Sequence, residues 1–222
     1  MYKVKKLIKS KYFSWLLVAT GIVGLCLSLV IYMNQPRPPV LVNNKVKSVD
    51  VSPAPSSVKP KASTIASYSV PANNPKYIAV PAIGITNTPV LKLGLLKGGA
   101  IATPDNIFET GWYDGSSLPG QAGAMFIYGH VSSWTADGIF YNLHKLVPGD
   151  KVIITTGNNT IYTYQVVVSR VYPYTSVPMN TVLSPISPTT PGLNLMTCTG
   201  KVIPGTSEFN ERLAVFTKLI SS

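Results

Sequence analysis

Cys198 closes an apolar run, Leu193-Asn194-Leu195-Met196-Thr197, and is followed by Thr199-Gly200. The pattern reads as a strand that delivers a thiol near its end, just before the chain turns. A thiol so placed can face a groove and act as a nucleophile once a base or a cation favours the thiolate. The competing reading is a packed, inert cysteine, because free cysteines are often core residues. His130 has the same setting: Ala124-Met125-Phe126-Ile127-Tyr128-Gly129 is apolar up to the glycine, and the imidazole follows. Two strand exits in one sheet can meet. A histidine beside a thiol can take its proton and return it to a leaving amine. The second histidine, His144, lies beside Lys145 in a stretch of helical texture and reads as a solvated side chain.

Attack on an amide carbonyl also builds an oxyanion, which needs fixed positive charge or N–H donors. The C-terminal part offers two arginines, Arg170 and Arg212. Arg212 precedes the apolar run Leu213-Ala214-Val215-Phe216 and follows Glu208 and Glu211. Arg170 lies at the end of a long β-rich run, before a Pro-rich stretch at 172–191. From the residues alone both remain candidates, Arg212 for the oxyanion and Arg170 for a substrate contact. Nothing suggests a metal or cofactor. Zinc-type Cys/His spacing, a calcium-type carboxylate loop and a phosphate-cradling Gly loop are all missing from the sequence.

These groups need a scaffold. From Tyr77 onward short runs rich in Val, Ile, Thr and Tyr alternate with turn residues: Tyr77–Ile83, Ala122–Tyr128, Lys151–Thr156, Ile161–Val171, Leu193–Thr197 and Leu213–Leu219. Gly157-Asn158-Asn159 between two of them marks a hairpin turn. Gly138–Leu146 alone has helical spacing, with Ile139, Leu143 and Leu146 on one face. The expected fold of 75–222 is an all-β, antiparallel, closed barrel.

The chain carries a net charge of +11, but its distribution argues against a nucleic-acid partner. Residues 1–12 hold five lysines and no acid, residues 34–74 hold five basic side chains against Asp50, and 75–222 are nearly balanced. A nucleic-acid binder concentrates basic charge on its folded surface. Here the charge flanks Phe13 to Met33, an uncharged stretch long enough to span a bilayer as a helix. The lysines before it predict a cytoplasmic basic tail at 1–12, a single transmembrane anchor at 13–33 and an extracellular remainder. Residues 34–74, rich in Pro, Ser and Lys, read as a disordered linker. Cys26 lies inside the apolar stretch, which leaves Cys198 without a disulfide partner.

Taken together, Gly129-His130, Gly138-Ile139-Phe140-Tyr141-Asn142-Leu143, Pro148-Gly149-Asp150, Leu195-Met196-Thr197-Cys198 and Arg212 resemble the sortases in order and spacing. Tyr77–Ile85 is similar to their first strand. Thr110-Gly111-Trp112-Tyr113 and Pro119–Gly123 are most like class F and related sortases. The resemblance covers about 76–220. It implies an eight-stranded barrel, no cofactor and a Cys198, His130, Arg212 site. It further implies cleavage of a Leu-Pro-X-Thr-Gly-like sorting signal between Thr and Gly through a thioester, with transfer to an amine such as a peptidoglycan precursor. The implied partners are secreted proteins carrying such signals. Thr197 matches a substrate-contact position, and 172–191 matches the signal-recognition loop. Asn194 stands where the family commonly has Thr, and either side chain can hydrogen-bond a substrate. The sequence ends at Ser222 with neither a second membrane helix nor an Asp-Pro-aromatic lid motif, features of pilin-polymerising members. Wall anchoring is therefore the expected role. A peptidase that only hydrolyses, or a silent binding module, are the alternatives.

Overall fold

In the computed structural model of the chain, residues 54–222 are described. The expected basic tail, the anchor at 13–33 and the linker up to residue 53 lie outside the described residues.

Eight strands close into a barrel in the order β1-β2-β3-β4-β7-β8-β6-β5. They are β1 Pro75–Val80, β2 Ile85–Leu93, β3 Thr110–Tyr113, β4 Ala124–Gly129, β5 Lys151–Thr156, β6 Ile161–Pro173, β7 Gly192–Val202 and β8 Phe209–Ser221. The β1–β5 pairing closes the ring. Six of the eight pairings are antiparallel, while β2–β3 and β4–β7 are parallel. The all-β, closed-barrel expectation holds, and the antiparallel one holds only for those six pairings. The runs quoted from sequence locate six strands and miss β2 and β3. The first carries Pro89 and a positive φ at Asn87, and the second is only four residues long.

The core has two layers. Inside the barrel lie Ile78, Val90, Trp112, Met125, Ile127, Tyr164, Leu193, Leu195, Leu213 and Val215, among others. A second cluster sits on the outer face of β4, β7 and β8: Phe126, Tyr128, Met196, Ala214 and Phe216. The segment after β6 covers it with Val177, Met179, Val182, Leu183 and Ile186. Alternate side chains of β4 and β7 thus go to opposite layers and both are buried. This is why these strands read as continuous apolar runs rather than as alternating ones.

Two expectations are corrected. Gly138–Leu146 is not an α-helix: only Leu143–Lys145 forms a 3-10 turn. Its backbone is used in tertiary bonds instead, Ile139 N to Ile107 O and Phe140 N to His130 O. Ile139, Leu143 and Leu146 still pack on the core, as their spacing anticipated. The end of the stretch read as disordered linker, 54–74, is ordered against the barrel. Ser56 bridges Asn106, helix α1 spans Ala62–Ser67, and Tyr68 Oη donates to Val90 O at 2.8 Å. Local composition is polar there, but backbone and phenol hydrogen bonds to the barrel supply the partners that composition alone does not reveal.

Candidate active site

Strand register decides which residues meet. Between the parallel strands β4 and β7 the last matched pair is Tyr128 with Met196. One step further, Thr197 Oγ1 donates to Gly129 O at 2.8 Å, so the two strands remain side by side. One more step brings His130 level with Cys198. Across the antiparallel β7–β8 pairing, Cys198 is matched with Arg212. Imidazole, thiol and guanidinium therefore arise from three adjacent strands at one level, about 5 Å apart per strand. Cys198 packs against the outer cluster, so the site lies on the outside of the sheet beside the covering segment. Arg170 is on the neighbouring strand β6, exposed, with its guanidinium 5.2 Å from the Phe216 ring. His144 is exposed and bonded to Tyr141 O, in the 3-10 turn rather than on these strands.

Each group has a local reason for its position. Strand β7 does not end at Cys198, as its sequence suggested, but continues to Val202. The pairing with β8 is irregular between Thr199 and Val202, and Gly200 sits there at φ +84. The thiol therefore precedes a bulge, a device that re-aims side chains beside sites. On the other side the chain after His130 folds back so closely that a Cβ at Gly138 would meet the His130 carbonyl oxygen.

His130 Nε2 lies 2.8 Å from Pro104 O, so the loop between β2 and β3 orients the imidazole. Arg212 is more firmly held. Nη1 donates to Phe209 O and Glu211 O at 2.8 and 3.0 Å, and Nη2 to Glu208 Oε2 at 2.8 Å. The Tyr174 ring stands 5.7 Å from its guanidinium carbon. Three of five N–H donors are thus used, leaving Nε and one Nη2 hydrogen for another acceptor.

The thiol itself is partly buried, and its hydrogen-bond partner is Tyr128 Oη at 2.9 Å. Among the described residues neither His130 nor Arg212 bonds Sγ. Burial pushes the Cys198 thiol above its ordinary value, and the charge of Glu208 adds to this. The Tyr128 hydrogen bond and the Arg212 charge oppose it. Burial, followed by the neighbouring thiol, holds the Tyr128 phenol well above its usual range, so it stays protonated. Among the described residues no cluster of three or more His, Cys, Asp or Glu could hold a metal.

The two side chains expected to touch substrate do not present themselves. Asn194 is 0% exposed and Thr197 1%. Alternation along β7 sends Thr197 inward, where its hydroxyl is spent on Gly129 O. Asn194 points outward but lies beneath the covering segment: Nδ2 donates to Val182 O and Ser184 O at 2.7 and 2.8 Å. In this structure both position what surrounds the thiol. Sequence reasoning also missed Tyr128. Its spacing of two from His130 on one strand was the available signal, since i and i+2 share a face.

A family model described as the sortase domain matches residues 78–220. No curated protein matches the chain. Among solved structures, the chain is similar to sortase C1 from Streptococcus agalactiae, with 25% identity, a TM-score of 0.50, and coverage of 68% of this chain and 69% of that one. The sortase C of Streptococcus pneumoniae matches at 22% identity and TM-score 0.52, covering 76% of each chain. The SrtA sortase of Actinomyces oris matches at 22% and 0.51, covering 76% of this chain and 87% of that one. The last two bear on the fold alone.

Proposed function

The chain belongs to the sortase family of cysteine transpeptidases, which act in surface-protein anchoring, and from that premise we propose that Cys198, His130 and Arg212 form its catalytic set. The observation that carries this assignment is the register, with Cys198 matched to Arg212 across β7–β8 and His130 continuing β4 at the same level. In the proposed cycle His130 takes the thiol proton and Sγ attacks the scissile carbonyl of a sorting signal. Arg212 offers its two remaining hydrogens to the oxyanion or to the substrate backbone. Collapse of the tetrahedral species breaks the C–N bond, and His130 protonates the departing amine. A thioester on Cys198 remains. An incoming amine, deprotonated by His130, attacks it, forms the new amide and releases the thiol.

The proposed substrate is a Leu-Pro-X-Thr-Gly-like signal cleaved after Thr, and the proposed acceptor is a peptidoglycan-type amine. The signal would run alongside the covering segment 174–186, beside the thiol. A membrane position, with an N-terminal anchor at 13–33 and the barrel outside the cell, is part of the proposal. So is a place beside the class F sortases, which rests on the Thr110–Tyr113 and Pro119–Gly123 segments. The supports for the anchor are the uncharged stretch and the lysines before it.

The test is mass spectrometry of the full chain, in detergent, with a library of signal peptides and primary amines. A ligated product together with a Cys198-linked thioester is the expected result. Free acid alone, whatever amine is added, would overturn transpeptidation in favour of hydrolysis. Ligation that survives Cys198→Ala would overturn the assignment of the nucleophile.

A further inference from the structure

Among the described residues, Tyr128 reaches both the candidate nucleophile and the candidate base. Its hydroxyl stands 2.9 Å from Cys198 Sγ. Its ring meets the His130 ring edge-on, with centroids 6.3 Å apart at 79°. It is 9% exposed and packs in the outer cluster with Phe126, Met196 and Cys198, so it has little freedom to leave. Position follows from alternation: Tyr128 is on the outer face of β4, His130 follows two residues on, just past the strand end, and Cys198 lies on the same outer face of β7. We propose that Tyr128 is a further catalytic residue, donating its phenolic hydrogen to Sγ and so stabilising the thiolate and fixing its direction of attack.

This inference rests on Cys198 being the nucleophile. The direction of the hydrogen bond is its central claim. A neutral thiol and a phenol can donate either way, but a thiolate can only accept. The phenol is well able to remain the donor, because burial holds its own ionisation far above that of an ordinary tyrosine. The thiol proton leaves to His130 during reaction, or to solvent when the enzyme is idle, and the Tyr128 proton stays on Oη throughout. On acylation Sγ becomes a thioester sulfur, a poor acceptor, and the bond weakens. Tyr128 thereby favours the thiolate without holding back the acyl-enzyme. The other charged and titratable groups around Sγ are Arg212, which favours the thiolate, and Glu208, which opposes it, both from the β8 side. His130 lies just beyond the end of β4, two residues after Tyr128. Tyr172 lies in the cluster from the covering side, and Tyr174 lies on Arg212.

The experiment follows alkylation of Cys198 by iodoacetamide against pH in the full chain, read at the peptide that contains Cys198 so that Cys26 does not contribute. Losing one hydrogen bond to a charged acceptor should slow Tyr128→Phe about ten-fold below the midpoint and move the midpoint upward. Above the midpoint its rate should equal or exceed that of the unsubstituted protein, because a more basic thiolate is the better nucleophile. A merely structural role would not produce profiles that cross in this way. An unchanged profile, or a midpoint moved downward, would overturn the proposal, the latter by showing that the thiol had been the donor. Should Tyr128→Phe not fold, the unsubstituted protein carries the test. The ring-carbon resonance of Tyr128, identified by the loss of its step in Cys198→Ala, must shift at the alkylation midpoint. A resonance blind to that midpoint sinks the idea. These readouts do not depend on peptide ligation, so failure of the proposed function and failure of this inference remain distinguishable.

Discussion

At the residue scale the site is a contest over one proton. Burial favours the neutral thiol, and the nearby Glu208 carboxylate adds to that preference. Glu208 also holds Arg212 Nη2, so it restrains the cation while opposing the thiolate. Its carboxylate is well exposed and screened, so Glu208→Gln should speed Cys198 alkylation at pH 7 only about two- to three-fold. An alkylation rate lowered by that substitution would contradict the sign. Arg212 is a stronger case. A lysine keeps the charge but cannot serve Phe209 O, Glu211 O and Glu208 while still offering a fork. Arg212→Lys should lose at least ~10-fold in kcat/KM and Arg212→Ala on the order of 10²–10³-fold. Both should show in kcat when steady-state ligation is measured over a range of signal-peptide concentrations.

At the element scale, the covering segment and the N-terminal strap, residues 54–74, brace the candidate site from two sides. Asn194 ties the C-terminal end of helix α2, Met179–Val182, to β7 through two carbonyls. Among the described residues its Oδ1 has no partner, so the amide acts here through its two donors. Asn194→Ala leaves Val182 O and Ser184 O without them. We expect a loss of about 1–3 kcal/mol, measurable by denaturant unfolding, with KM for the signal peptide raised more than kcat is lowered. On the other side, Ser56 N bonds Asp105 O and Ile107 N bonds Ser56 O, bracing the loop whose Pro104 O holds His130. Ser57 Oγ meets Ser133 Oγ at 2.9 Å in the loop after His130. Further along, Tyr68 Oη of the strap donates to Val90 O, and Tyr77 Oη of β1 donates to Ile65 O of the strap. The double substitution Tyr68→Phe and Tyr77→Phe should lower Tm by about 4–8 °C and speed amide exchange at Ile107. An unaltered melt would mean that the strap contributes nothing.

At the scale of the whole molecule, the barrel buries polar groups that favour neutrality, and this sets its response to alkali. Tyr164 is fully buried inside the barrel, and burial pushes its phenol to about 12 against an ordinary 10.0. A group whose acid form is preferred by the fold binds its proton longer when folded than when unfolded. Its contribution is therefore complete below pH 10 and is lost as pH rises from about 10 to 12. The shift corresponds to roughly 2–3 kcal/mol. Stability measured by denaturant should fall through that window, and Tyr164→Phe should fall less steeply over it. An equal slope in the two proteins would remove Tyr164 from the account.

The amino-acid sequence by itself marked the candidate groups and their neighbourhood. Cys198 and His130 are legible because each follows an apolar run, and Arg212 because it precedes one. The all-β character is legible because Val, Ile, Thr and Tyr dominate runs separated by turn residues. The tertiary structure alone decided the placement of Thr197, Asn194 and Tyr128. All three lie within runs already read as strands, and what separates them is the face each occupies and what covers that face. Burial on both faces of β4 and β7 erases the alternation from which inside and outside could have been read. Only the pairing register, together with the loop folded over the outer layer, assigns one hydroxyl to a backbone carbonyl, one amide to a loop and one phenol to the thiol.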